Sequence, residues 1–410
     1  MTLRDYQENI SFEAAKRLRE YGCCYLAMEC RTGKTLTALA AASKYGAASA
    51  LFLTKLKAIS SVKGDYNALN PSYSIEITNY ESAHKLTGAY DFVILDEAHC
   101  LGAYPKPSKR TVGVKRLCTG LPVLYLSGTP TPESYSQLYH QLWVCSCSPF
   151  TKFANFYKWA RSGFVDIRQK KVNGYTLNDY SHADSMKIAE ATRHLFLSYS
   201  QEDAGFSCDI EERELYCSMT LETKGLINRL KRRKILEFPD GSTVLGDTPV
   251  KLMSKLHQLS GGTVITEDNK HLIIDESKAL RIREAFRGMK IAIFYVYKSE
   301  FELLCGVFPD WTDNPEEFQK SNDKTFICQV RRAREGVRLD TAEAVVFYNL
   351  EFSFLSYEQG KNRIMSKERS ISASVYFAIS DCGIDGDVLE KVRDKKDFTS
   401  AYYVRKYGKS

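Results

Sequence analysis

Several features that would indicate particular protein classes are absent from this sequence. Its twelve cysteines form no C-x-x-C pair, and no histidines stand at zinc-finger spacing, so we expect reduced thiols and no metal site. No window approaches the roughly 20 apolar residues of a membrane span. The charged N-terminus, "MTLRDYQENISFEAAKRL", lacks the apolar stretch of a signal peptide. These absences predict a cytoplasmic protein with no membrane partner.

Repeats and low-complexity tracts are also absent, and the composition is that of an ordinary folded chain. The 410 residues are 44% apolar and 26% charged, which suits two or three domains with full cores. The net charge of +7 includes three basic runs, "IRQKK" (residues 167–171), "RLKRRK" (229–234) and "RRAREGVR" (331–338). Such runs suit a polyanion, but a solvated helix face is the commoner explanation of any one of them. Charge alone therefore does not establish nucleic-acid binding.

Short apolar runs recur in both halves of the chain and predict buried parallel strands. The runs are bounded by glycine, proline or polar residues. Strands with helical connections predict an α/β fold with open parallel sheets and ligands at the carboxyl ends of the strands. The runs cover residues 23–28, 48–54, 74–79, 91–96 and 122–128, and then 290–297, 324–330, 342–349 and 372–380.

The pattern changes between these two series, from about residue 151 to residue 207. Amphipathic, aromatic-rich pieces such as "TKFANFYKWARSGF" predict a mainly helical insertion. Its aromatic and basic side chains could stack on bases, but we favour an aromatic helix face that packs on the first domain. We therefore divide the chain into domains at 1–150, 151–215 and 216–410.

The sequence "RTGKT" (residues 31–35) stands between a predicted strand and a predicted helix. Backbone N–H groups at a helix N-terminus stabilise an anion, so this turn predicts a phosphate site. Lys34 would reach the β- and γ-phosphates of a nucleotide, and the Thr35 hydroxyl would hold Mg²⁺. The usual pattern G-x-x-x-x-G-K-[ST] has a glycine where this chain has Met28.

The segment "DFVILDEAHC" (residues 91–100) places two carboxylates at the end of a predicted buried strand. Adjacent acids at such a place are costly unless a cation or a substrate uses them. Asp96 can hold the Mg²⁺ bound to the phosphates, while Glu97 can orient and deprotonate the attacking water. A capped strand end with a solvated acidic turn is the alternative.

Together with "YLSGTPTPES" (residues 125–134), these segments resemble the DEAH-box ATPases of helicase superfamily 2, and most closely the SWI/SNF-type DNA translocases. The resemblance covers roughly residues 1–150 and 215–380, in the family's order. It implies two RecA-like lobes with the ATP site in the interlobe cleft. Further matching segments are "LRDYQ" (3–7), "LFLTKLKAISSV" (51–62), "ITNYES" (77–82), "KIAIFYVYKSE" (290–300), "QVRRAREGVRLDTAEAVVFYN" (329–349) and "SYEQGKNRI" (356–364).

The resemblance implies a role for each matching residue. Gln7 would select adenine, and Arg363 would reach across the lobe interface to the γ-phosphate. The implied catalytic residues are Glu97, Asp96, Lys34 and Arg363, with Thr35 and Asp96 on Mg²⁺; the ATP-binding residues are Gln7, Arg31, Thr32, Gly33, Lys34, Thr35, Gly336, Gln359 and Arg363. His99, Ser127, Gly128 and Thr129 would couple hydrolysis to DNA movement, and the DNA contacts would be Thr54, Lys55, Asn79 and Tyr80. The basic run 229–234 adds Arg232 and Arg233 as candidate DNA contacts on the basis of its charge.

Two departures from the family pattern bear on these roles. SWI/SNF-like members also lack the glycine replaced here by Met28 and carry a glutamate at the place of Glu29, so this difference supports the subfamily. The family usually has a second arginine three residues after Arg363, where this chain has Ser366. Arg369 lies three residues further on and is a candidate substitute.

The implied function is that of an ATP-dependent DNA translocase or helicase, which hydrolyses ATP to ADP and phosphate while it moves on duplex or forked DNA through backbone contacts. We expect a monomer, with replication or recombination proteins as further partners. The compact length resembles motors encoded by bacteriophages, which would act in the host cytoplasm. The alternative is an ATP-gated DNA- or protein-binding switch, a loader or inhibitor with little motor activity.

Overall fold

The fold consists of two compact units. A computed structural model describes residues 2–172, 175–205, 210–333, 339, 341–351, 353–361 and 373–394. The described part of the first unit ends at Gly205, and the second unit ends at Asp394. Among the described residues, no helix is both long and apolar enough to cross a membrane.

The first unit is built on a six-stranded sheet in the order β3-β2-β4-β5-β1-β8, and every neighbouring pair is parallel. The strands of this unit are β1 (Cys23–Met28), β2 (Ser49–Thr54), β3 (Ser74–Asn79), β4 (Phe92–Leu95), β5 (Val123–Leu126), β6 (Arg168–Val172), β7 (Tyr175–Asp179) and β8 (Phe196–Tyr199), of which β6 and β7 form a separate two-stranded sheet. Its helices are α1 (Asp5–Tyr21), α2 (Lys34–Tyr45), α3 (Ile59–Leu69), α4 (Lys109–Leu117), α5 (Gln137–Trp143), α6 (Phe156–Trp159) and α7 (Ser185–Thr192).

Both faces of this sheet are buried, which explains why its central strands are continuous apolar runs. In β1, Tyr25 packs into an apolar core on one face and Leu26 into a separate core on the other. Helices α1 and α2 cover the Leu26 side, where Leu18 and Leu39 are buried. Because every pair in the sheet is parallel, the carboxyl ends of β1, β2 and β4 lie at the same edge.

The second unit has its own six-stranded sheet in the order β15-β16-β14-β17-β18-β9, again with only parallel pairs. The predicted α/β class with two parallel sheets is confirmed, as expected for RecA-like lobes. The strands are β9 (Ile210–Cys217), β10 (Ile235–Glu237), β11 (Thr243–Leu245), β12 (Thr263–Ile265), β13 (His271–Ile273), β14 (Ile291–Tyr295), β15 (Trp311–Thr312), β16 (Thr325–Gln329), β17 (Ala344–Phe347) and β18 (Ala373–Ser380). The helices are α8 (Leu221–Arg233), α9 (Pro249–Ser260), α10 (Ser277–Ala285), α11 (Lys298–Val307), α12 (Pro315–Lys320), α13 (Val330–Ala333), α14 (Phe354–Lys361) and α15 (Asp385–Asp394).

The segment 151–215 differs from the predicted mainly helical insertion. It contains two short helices, α6 and α7, but also the antiparallel hairpin β6–β7, strand β8 of the first sheet and most of strand β9 of the second. The aromatic face of "NFYKWARSGF" packs as favoured, because Phe156 and Trp159 are buried in the core of the first unit. The described residues up to Gly205 thus belong to the first unit rather than to a separate insertion.

Candidate functional site

In the loop that connects β1 to α2, two side chains donate hydrogen bonds to the same backbone carbonyl oxygen, that of Glu29. The Thr32 hydroxyl donates to the Glu29 carbonyl oxygen over 2.8 Å, and the Lys34 ammonium donates to the same oxygen over 3.2 Å. Arg31 and Gly33 both have left-handed backbones, with φ of +65° and +80°. Helix α2 begins at Lys34, so its first N–H groups, including that of Thr35, point into the loop and can bind a phosphate.

The N-terminal helix α1 supports this loop from one side. The Gln7 side chain is buried, donates to the Gly33 carbonyl over 3.3 Å and accepts from the Arg4 backbone over 2.9 Å. The Tyr6 hydroxyl donates to the Thr32 carbonyl over 3.0 Å. These contacts give Gln7 a role in holding the loop, while adenine selection by Gln7 stays a prediction.

Gly33→Ala should weaken nucleotide binding about tenfold or more, because a methyl group there would lie 2.2 Å from Gln7 Nε2. Gln7 would have to give up its bond to the loop. Gly46 is a matched control, since it has a left-handed φ of +93° but no atom within 4 Å of an added Cβ. Gly46→Ala carries similar backbone strain and should bind a fluorescent ATP analogue like the wild type. Equal affinities of the two variants would contradict the steric argument.

Two carboxylates follow β4 at the same edge of the sheet. Asp96 is held by the Thr54 hydroxyl, which donates to Oδ2 over 2.7 Å, and by the Glu97 N–H, which donates to Oδ1 over 3.0 Å. Burial raises the pKa of Asp96 to about 6, and the neighbouring Glu97 charge adds to the increase, while Thr54 and Lys34 oppose it. A buried carboxylate with this cost fits a cation, and a carboxylate with the Thr35 hydroxyl is a donor set that suits Mg²⁺.

Glu97 lies at the start of a chain of polar contacts that reaches the phosphate loop. Its Oε2 atom is 3.2 Å from His99 Nδ1, which is 3.0 Å from Ser127 Oγ. Ser127 Oγ in turn accepts from the Thr129 backbone over 3.1 Å. Because an added Cβ at Gly128 would be 3.5 Å from Lys34 Nζ, the turn lies against the loop. The structure thus brings together all four predicted coupling residues.

Three of the predicted DNA contacts are buried, which corrects that part of the prediction. The Thr54 side chain is occupied by Asp96, and the Tyr80 hydroxyl donates to the Asp96 carbonyl over 2.6 Å. Asn79 is buried as well, and its side-chain oxygen accepts from the Ser82 N–H over 2.7 Å. These residues end or follow strands β2 and β3, which lie on one side of β4, and their side chains are turned inward. Lys55 is partly exposed.

The predicted residues of the second unit are described only in part. Arg232 and Arg233 are exposed at the end of α8, whose opposite face buries Ile227 and Leu230. Gln359 lies within α14. Gly336 and Arg363, as well as Ser366 and Arg369, lie outside the described residues.

One contact of the loop was missed by sequence reasoning. Gln201 donates two hydrogen bonds to residues 29 and 30 of the loop. No motif includes this position, and the segment around it was assigned to an insertion, so the sequence carries no signal for the contact.

The sequence matches a family of known proteins over more than half of its length. The family, described as SNF2-related domain, matches residues 24–258. The SWI2/SNF2 ATPase core of Sulfolobus solfataricus, solved in complex with dsDNA, is 16% identical. The comparison covers 99% of this chain and 94% of that one, with a TM-score of 0.43. No curated protein matches the chain.

Proposed function

Since this chain belongs to the SNF2-related family, we propose that it hydrolyses ATP to ADP and phosphate and uses the energy to move along DNA. The observation that carries the proposal is the buried Asp96 carboxylate. It is adjacent to Glu97, and its charge interacts with the positive charge of Lys34. A phosphate loop, a metal-binding acid and a candidate base at one sheet edge are what ATP hydrolysis requires.

In the proposed reaction the first unit binds the triphosphate and prepares the attacking water. The N–H groups at the start of α2 bind the phosphates, and Lys34 exchanges the Glu29 carbonyl for a phosphate oxygen. Asp96 and Thr35 would hold Mg²⁺, which would neutralise phosphate charge when bound. Glu97 orients the water and accepts its proton. Arg363 would supply positive charge at the γ-phosphate.

The polar chain from Glu97 to Thr129 is our candidate for coupling hydrolysis to movement. His99 is buried and lies within hydrogen-bonding distance of both Glu97 and Ser127. A change in the charge or position of Glu97 during hydrolysis would therefore alter the contacts of the turn at 127–129. We propose that this turn transmits the nucleotide state to the DNA-binding surface.

DNA binding is proposed for the end of α8. Arg232 and Arg233 are exposed next to other basic residues of the run 229–234, and their guanidinium groups suit phosphate oxygens. In the part of the chain that the structure describes, no acidic partner pairs with either arginine at salt-bridge distance. Duplex or forked DNA is the proposed partner, because backbone contacts need no base readout.

The Arg232→Glu/Arg233→Glu variant tests the proposal. Duplex DNA should stimulate ATP hydrolysis by the wild type, and the double variant should need about tenfold or more DNA for half-maximal stimulation. The rate without DNA should not change, because the substitutions leave the ATP site intact. The measurement is the ATPase rate with single-stranded DNA, duplex DNA, forked DNA and RNA at several salt concentrations.

A matched control removes the same charge elsewhere in the second unit. Arg281 and Arg287 are exposed, and Arg281→Glu/Arg287→Glu should leave DNA stimulation near the wild-type value. An equal loss in both double variants would assign binding to overall charge and contradict the role of α8.

A wild-type ATPase rate that is insensitive to all four nucleic acids would favour the ATP-gated switch. Unwinding of tailed duplexes would identify a helicase. Displacement of a triplex strand without unwinding of the duplex would identify a translocase.

From the resemblance and the compact length we also propose the DEAH-box subclass, a bacteriophage origin and replication or recombination partners. The proposed state is a monomer in the cytoplasm.

A further inference from the structure

The end of strand β8 forms a clasp with the start of the phosphate loop. The Glu29 N–H donates to the Tyr199 carbonyl over 3.0 Å, and the Gln201 N–H donates to Glu29 Oε2 over 2.9 Å. The Gln201 side chain then donates through Nε2 to the Cys30 carbonyl over 2.9 Å. Residues 199–201 thus hold both the backbone and the side chain of the first loop residues.

The residue held by this clasp is Glu29. Glu29 provides the carbonyl oxygen that accepts from the Thr32 hydroxyl and from Lys34 Nζ. Its carboxylate, held by the Gln201 N–H, is kept at the β8 side of the loop. Negative charge that moved towards the phosphate position would repel a triphosphate. The clasp therefore sets the path of the loop and the location of a nearby negative charge.

We propose that Gln201 is a positioning residue for the phosphate loop, which fixes residues 29 and 30 in the conformation that binds ATP. The inference rests on the proposed ATP-binding function. Gln201 is buried, and it lies four residues before Gly205, where the described part of the first unit ends. The nucleotide loop is thus held by a segment of its own unit.

Gln201→Ala removes the side-chain bond to Cys30 but keeps the backbone bond to Glu29. We expect about tenfold weaker binding of a fluorescent ATP analogue, with a matching rise in KM for ATP and a kcat within about twofold of the wild type. The melting temperature without nucleotide should stay close to the wild-type value. Glu202→Ala is the matched control, because Glu202 is the exposed neighbour in the same segment and should bind like the wild type.

Gln201→Glu separates hydrogen bonding from packing, since it has the same size but no N–H donor. When ionised, it should bind the analogue more weakly than Gln201→Ala, because its charge faces the Cys30 carbonyl. When protonated, it regains an O–H donor, so its affinity relative to the wild type should recover as the pH is lowered. The affinity of Gln201→Ala relative to the wild type should not recover in this way.

The outcomes separate this inference from the proposed function. If the wild type binds the analogue but Gln201→Ala binds it equally well, the inference is overturned and the proposed function stands. A large fall in melting temperature that accompanies weak binding would mean a purely structural role, which also overturns the inference. If the wild type itself fails to bind ATP, the proposed function is overturned.

Discussion

Replacing Glu97 by glutamine should lower the rate of ATP hydrolysis by about 10²–10⁴-fold while ATP binding stays within a few-fold of the wild type. Glutamine keeps the size of the side chain but cannot accept the proton of the attacking water. The carboxylate is available for that role, because its side chain is 22% exposed while its Oε2 atom is oriented 3.2 Å from His99. Single-turnover hydrolysis and equilibrium binding of ATP, measured on the same preparation, check both halves of this result.

The control for this variant is a glutamate outside the segment 91–100. Glu81 is exposed and pairs with Arg110, so Glu81→Gln should hydrolyse ATP at nearly the wild-type rate. Turnover by Glu97→Gln above a tenth of the wild-type rate would rule out Glu97 as the base. Loss of ATP binding together with turnover would instead indicate that Glu97 shapes the loop.

Lys278→Met should destabilise the second unit by about 3–5 kcal/mol, because it leaves a buried charge without its partner. Lys278 is completely buried, and its Nζ atom lies 2.8 Å from Oδ2 of Asp385, whose side chain is 4% exposed. The same Oδ2 atom accepts from the Ser380 N–H over 2.9 Å. Urea unfolding followed by hydrogen-exchange mass spectrometry should show an earlier transition for peptides from β18, while peptides from β1 keep the wild-type midpoint.

A second substitution distinguishes a lost charge partner from lost packing. In Lys278→Met/Asp385→Asn the asparagine oxygen can still accept from Ser380, and no buried charge remains, so most of the stability should return. Lys251→Met breaks an exposed pair with Asp247 and should change the midpoint little. If the double variant is as unstable as Lys278→Met, the loss comes from packing rather than from the unpaired carboxylate.

The central strands of both sheets could be predicted from the sequence because they are buried on both faces. Strand β1 occupies the predicted range 23–28, and β14 lies within 290–297. Three strands of the two six-stranded sheets were not predicted, for reasons of length and context. β15 has two residues, and β8 follows a helix in an apolar stretch that continues the helical pattern. β9, "IEERELYC", is mostly polar because it forms the edge of its sheet.

The candidate site was predictable where chemistry and sequence order coincide. Lys34 follows β1, whereas Asp96 and Glu97 follow β4, and β5 lies between these two strands. The shared direction of the parallel strands still brings their carboxyl ends to one edge of the sheet. The burial of Tyr80 depends on how the chain turns after β3, and a motif match does not encode it. Gln201 could not be found, because its contact with Glu29 joins positions far apart in the chain.

Glu97 has a left-handed backbone, with φ of +50°, and is also the proposed base, so backbone stability and the proposed reaction favour different residues at this position. Glycine or asparagine adopts this conformation at lower cost than glutamate. A change of Glu97 to asparagine would therefore relieve the cost of this backbone and remove the proposed base in one substitution. Position 97 is thus a place where stability and the proposed turnover make opposite demands on one side chain.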